Sequence, residues 1–188
     1  MIWLWLGVLL WSGAHALPSL APNVRAGLIG RLGENGYKIG FALSIVGSIV
    51  LMVIGWRSAV ADIVYEPPVW GRHLAILLML IAFLLFAFSH GKSNLKRFIR
   101  HPQLTAVLVW AVAHLLANGD SRSVTLFGVL GVWAVIEMIL INRRDGAPVL
   151  PEPRPWSAEM KPVIIGPVIY AVFVFLHPYL FGVSPIGA

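Results

Sequence analysis

The 188 residues are 59% hydrophobic and only 12% charged, with a net charge of +6, against about 25% charged in soluble domains. The absence of cysteine excludes disulfides, thiolate-bound haem, iron–sulfur clusters and cysteine-type zinc sites, and leaves six histidines as the strong nitrogen ligands. The 14 basic residues lie mainly in short stretches between apolar runs, so they read as topology signals and not as a nucleic-acid patch.

The first apolar run covers residues 1–20 and carries His15 in "LLWSGAHALPS". The Ala-His-Ala at 14–16 has the form of a signal-peptidase site, but no Lys or Arg precedes Arg25. A secretory leader needs such a basic start, so the first run is expected to stay as a helix. The connection to the second run holds Arg25, Arg31 and Lys38. In the second run, 39–56, Gly40, Ser44, Gly47, Ser48 and Gly55 recur on one side, which favours close approach of a neighbouring helix. The third, 72–89, is the plainest span. His73 opens it beside Arg72, and His90 closes it before Gly91. A cation and a glycine suit a helix C-terminus.

The fourth run, 103–118, starts after His101-Pro102, with the proline suited to a first helical turn. It carries His114 at its interior and ends in Asn118-Gly119, a pair suited to a left-handed C-cap. The fifth, 123–141, contains Glu137, the one acid well inside a span. A snorkelling carboxylate or one paired with Arg144 or Arg100 is the expected arrangement, with a proton-relay role as the alternative. "PVLPEPRPW" at 148–156 reads as a stiff, extended connection. The last run, 162–182, contains Pro162, Gly166, Pro167 and Pro178 and places His177 before Pro178.

Each run is close to the ~20 residues that cross the hydrocarbon as a helix. Together they predict an all-α, polytopic membrane helix bundle of about six spans, forming one transmembrane domain over 1–188. Eleven of the 14 basic residues fall in loops 1, 3 and 5. The positive-inside rule puts those loops in the cytoplasm and both termini on the periplasmic side of a bacterial inner membrane.

A histidine inside a span needs a partner, because unpaired polar groups in lipid are costly. His114 and His15 therefore read either as interhelical hydrogen-bonding residues or as ligands. Two interior histidines on different helices are the minimum for bis-imidazole haem ligation. No serine-hydrolase elbow, phosphate loop or His-Glu-x-x-His occurs, and no catalytic residue is assigned.

"RHPQLTAVLVWAVAHLLANGD" at 100–120 resembles the signature of the NnrU family of integral membrane proteins. The stretches 10–43, 56–86 and 125–137 agree with it, so the likeness is clearest over residues 1–145. That family is similar to the plant 15-cis-ζ-carotene isomerase, an integral membrane haem b protein. The resemblance implies that His15 in "GAHALPS" and His114 in "AVAHLL" are axial ligands of haem iron, and that His101 in "RHP" matches a third important position. Where the isomerase has a cysteine three residues before the second histidine, this chain has Ala111, so a switch to a thiolate ligand is closed to it.

On idealised helices the two ligand histidines differ in depth by roughly 11 Å, while their side chains lean toward each other. If that pair fails, His73 or His177 matches His114 better in depth, and His90 or His101 matches His15. Arg25, Arg31 and Arg100 are cytoplasmic candidates for haem propionates, or for lipid headgroups.

The resemblance implies an accessory role in nitric oxide and nitrite metabolism during denitrification, through redox or sensing chemistry. The alternatives are a haem-dependent isomerase acting on a polyene and a non-enzymatic assembly protein with structural histidines. The expected partners are the bilayer, haem and a polyene or nitrogen oxide, with no nucleic acid.

Overall fold

The computed structural model describes residues 1–186; the last two residues of the expected single domain lie outside the described residues. Six helices account for most of it: α1 (Ile2–Leu20), α2 (Pro22–Ser58), α3 (Gly71–Ser89), α4 (Pro102–Ala117), α5 (Ser121–Asp145) and α6 (Met160–Phe181). No strand occurs among the described residues; Ile63 and Asp120 make an isolated β-bridge. The chain divides into two compact units. Met1–Tyr65 and Gly119–Gly146 form the first, and Glu66–Asn118 with the chain from Ala147 forms the second.

In the first unit α1 and α2 run antiparallel, with backbones close enough that glycine is required. A Cβ on Gly55 would run into the backbone of Leu4, and one on Gly7 would lie 2.7 Å from Met52 N and 2.8 Å from the Ser48 carbonyl oxygen. Leu4, Val8 and Ser48 are fully buried at this crossing. Of the small residues expected to line it, only Ser48 and Gly55 do; a Cβ on Gly40 or Gly47 would meet nothing. Gly7, on the opposing helix, completes the contact. Close packing of small residues is how helices associate in lipid, where apolar burial offers little drive.

The stretch carrying Arg25 and Arg31, expected as a loop, is helical. Gly33, at φ 72° and ψ 166°, breaks α2 in two, and only glycine adopts that backbone readily. Arg25, before the break, stacks its guanidinium 5.4 Å from the ring centroid of Tyr37, after it.

α5 starts earlier than its hydrophobic run because Asp120 caps it. The Asp120 carboxylate accepts from Ser123 Oγ at 2.6 Å, Arg122 N at 3.0 Å and Ser123 N at 3.2 Å. Burial pushes this carboxyl up, but the Ser123 and Arg122 bonds outweigh it and hold the group below the ordinary carboxylate range. Residues Val124–Gly128 then form a π-turn. The left-handed C-cap expected at Asn118-Gly119 is absent. Asn118 is extended, at φ −137° and ψ 128°, and the Gly119 carbonyl accepts from Val64 N at 2.9 Å and Tyr65 N at 3.1 Å. Pairing across to residues 63–65 replaces the local cap, a long-range choice that a dipeptide does not reveal.

In the second unit α3 packs against α4 and α6. Gly71 touches Leu116 so closely that a Cβ would run into its carbonyl oxygen. Both ends of the α3–α6 pair are tied. At one end Arg72 donates to the carbonyls of Ser184 (2.7 Å) and Pro185 (3.0 Å). At the other, Glu159 accepts from Ser93 Oγ at 2.8 Å and Asn94 N at 2.7 Å. The two helices are therefore antiparallel. His90 closes α3 and Gly91 takes the left-handed conformation, φ 88°, as its sequence suggests.

α2, α3, α5 and the segment Trp156–Phe181 are long and apolar enough to cross a membrane. α4, at 16 residues, is apolar but shorter.

Candidate functional site

α1 places His15 one helical turn after Trp11. The imidazole Nδ1 lies 2.9 Å from the Trp11 carbonyl oxygen. A carbonyl only accepts, so the proton is on Nδ1 and Nε2 keeps the lone pair. Histidines that ligate metals are held in this way, through the nitrogen opposite the metal. The half-buried ring is enclosed by aromatics from three helices: Trp11 at 4.6 Å between centroids, Trp133 of α5 at 5.1 Å and Phe41 of α2 at 5.3 Å. Trp11 and Trp133 themselves meet edge to face at 5.8 Å.

Three buried polar atoms of the same unit have no partner among the described residues. The indole nitrogens Nε1 of Trp11 and Trp133 donate to nothing, and Oε2 of Glu137 accepts nothing. Glu137, one turn beyond Trp133, is 6% exposed. The expected ion pair with Arg144 does not form, because Arg144 turns to Asp145 at 2.7 Å and to Ser19 Oγ at 3.1 Å. Adjacent Asp145 offers it a bidentate partner at the helix end, out of the apolar interior.

The second unit repeats the local device. His114 follows Trp110 by one turn, its Nδ1 donates to the Trp110 carbonyl at 2.9 Å, and the rings lie 5.1 Å apart. Ala111 and Ala113 are buried on either side of the turn. The His114 carbonyl is itself doubly used, accepting from Asn118 N (2.8 Å) and Asn118 Nδ2 (2.9 Å). His177 donates its Nδ1 to the Val183 carbonyl at 2.7 Å. The Trp-x-x-x-His spacing at 11–15 and 110–114 is visible in the sequence and foretells the two ring contacts, whereas the bond to the carbonyl needs only a helical residue one turn back.

His90 shows what the local geometry alone does not decide. It also donates Nδ1 to a carbonyl one turn back, Phe86 at 2.9 Å, yet its ring is exposed at a helix end. Burial, not the bond, distinguishes His15 and His114. His101 is the N-cap residue of α4, where its side chain makes no capping bond. Its carbonyl accepts from Thr105 Oγ1 at 2.9 Å. His73 and Arg25 are exposed, and Arg100 is half-buried. His15 and Arg25 belong to the first unit, and His101, His114 and Arg100 to the second. Among the described residues no group of three or more His, Asp or Glu could by itself hold a metal ion.

Long apolar helices that bury a carboxylate and half-bury two histidines define a multi-pass membrane protein. The chain belongs to the NnrU protein family, whose model matches residues 3–185, through the last helix. That family is related to ζ-carotene isomerase. No curated protein and no solved structure matches the chain.

Proposed function

We propose that the protein is a haem b protein of the bacterial inner membrane, with His15 and His114 as the axial ligands. In this reading α1 and α4 also span, giving six spans, with loops 1, 3 and 5 in the cytoplasm and both termini outside. The observation that carries the reading is that two half-buried imidazoles, unlike exposed His90, each turn Nδ1 to a carbonyl and keep a lone pair on Nε2. Haem asks for axial imidazole and for donors to its propionates. The residues present fit that demand, since Trp11 and Trp133 hold unused N–H donors in the unit that contains His15. Arg25 and Arg100 are further propionate partners, and His101 is proposed beside the cofactor on the family likeness.

Bound haem supplies one-electron redox chemistry, tuned by its axial ligands and by the polarity around them. The aromatic wall around His15 limits water, and the Nδ1–carbonyl bonds fix both imidazoles in the ligating tautomer. The role that follows is accessory redox or sensing chemistry in nitric oxide and nitrite metabolism. The relation to ζ-carotene isomerase favours a second reading, haem-dependent isomerisation of a long polyene lying between helices.

The test is the absorption spectrum of protein purified in mild detergent from haem-replete cells. A Soret band lost in His15→Ala and in His114→Ala supports the ligand pair. A band that survives His15→Ala but falls in His177→Ala moves the ligation to His114 and His177. A colourless, well-folded protein sinks the haem reading. Supplying 15-cis-ζ-carotene to the loaded protein separates the two roles, and unchanged substrate removes the isomerase.

A further inference from the structure

The second unit holds a cavity of 450 Å³ between the end of α3 and the start of α6, remote in sequence from the histidine devices. Its floor is apolar, formed by Phe83, Ile165 and Ile169, and its mouth is cationic, formed by Lys92, Arg154 and Lys161. We propose that this cavity binds an anionic phospholipid, its phosphate at the three cations and an acyl chain along the α3–α6 floor.

Three observations carry the assignment. The mouth is built in advance. Ser93, 3% exposed, and Glu159, 5% exposed, bond to each other, and Asn94 ties the Arg154 backbone in both directions at 2.8 Å. Arg154 is set across the mouth by donating Nη1 to the Lys92 carbonyl at 2.8 Å. Next, Glu159 directs both oxygens to Ser93 and Asn94, and among the described residues none of the three cations forms an ion pair with a carboxylate. Finally, charge and grease are ordered as a phospholipid orders them. Lys92 and Lys161 sit at the helix ends and Arg154 on the connection before α6, and the apolar residues lie toward the helix middles. A basic pocket between helix ends is the recognised form of an anionic headgroup site. A soluble phosphate would use the mouth and leave the floor without a partner, so the occupant is the lipid.

Native mass spectrometry of the full chain in detergent, with phosphatidylglycerol or phosphatidylcholine added, tests this. Phosphatidylglycerol should be retained and phosphatidylcholine lost. Lys92→Gln with Lys161→Gln should weaken retention about 30-fold, taking about 1 kcal/mol for each cation. Ile165→Trp, which fills the floor and keeps every charge, should also displace the lipid. Circular dichroism and size-exclusion elution report whether each variant is folded. If the double variant fails to fold, Ile165→Trp and the salt dependence of wild-type retention decide instead, and retention should fall as salt rises. Equal retention of the two lipids, unchanged retention in the folded variants, or full displacement by millimolar inorganic phosphate would overturn the proposal.

Discussion

The two units each bury one glutamate to nearly the same degree, and treat it in opposite ways. Glu159 is 5% exposed and receives one bond on each oxygen, from Ser93 and Asn94. Glu137 is 6% exposed, and its Oε2 receives none. Burial of an unpaired polar group costs free energy that a purely structural residue would shed. Glu159 is thus a fastening, holding the loop after α3 to the start of α6. Glu137, with the two idle indole nitrogens beside His15, marks the place where the fold keeps polar capacity in reserve.

Replacing each glutamate should pull the two units apart experimentally. Glu159→Ala leaves a buried hydroxyl and a part-buried N–H without acceptors, and should destabilise the protein by about 3 kcal/mol. A clear fall in melting temperature in detergent would show this, and an unchanged one would break the comparison. Gly55→Ala forces a Cβ into Leu4 and should cost about 2 kcal/mol through overpacking, read in the same melt. Asp120→Ala removes the cap of α5 and should cost about 1 kcal/mol. Glu137→Leu removes an acceptor that no hydrogen bond uses, and should change stability by less than about 1 kcal/mol in either direction. If Glu137→Leu proves as damaging as Glu159→Ala, the carboxylate is a fastening after all.

Asp120 adds a pH arm to the same comparison. Its folded-state acidity is strengthened, so it binds its proton less readily folded than unfolded. The cap's contribution is therefore full above the unfolded value, about 3.9, and is lost as pH falls through the folded value. Wild type should lose more stability than Asp120→Asn on going from pH 6 to pH 3. Parallel loss in both proteins would deny the cap its role.

Much of this architecture is legible in the residues. Pro102 opens α4 and Gly91 ends α3 in the left-handed conformation because proline and glycine act locally, through their own backbones. What stayed hidden depends on distant partners. Glu159 lies between the stiff connection at 148–156 and the last apolar run, where nothing local marks it for burial, yet it is buried because Ser93 and Asn94, some 65 residues earlier, supply donors. Asn118-Gly119 reads as a left-handed stop, and the strand-like pairing with Val64 and Tyr65 overrides it. Arg144 was the natural partner for Glu137 until the adjacent Asp145 claimed it. The histidine devices are an intermediate case. Their hydrogen bonds are local and follow from helical spacing, whereas the aromatic enclosure of His15 required α2 and α5 to arrive from elsewhere.

The break at Gly33 bears on how the chain meets bilayers of different thickness. An unbroken α2 of 37 residues would reach about 55 Å, far beyond a hydrocarbon layer of about 30 Å. Division at Gly33 leaves a spanning part of ordinary length and a separate basic segment, with Arg25 stacked on Tyr37 across the break. The basic segment is joined at both ends, to α1 through Ala21 and to the spanning part through Gly33, and adds nothing to the thickness that α2 must cross. The part that remains, packed on α1 through Gly7 and Gly55, is short enough to match the hydrocarbon by ordinary helix tilt.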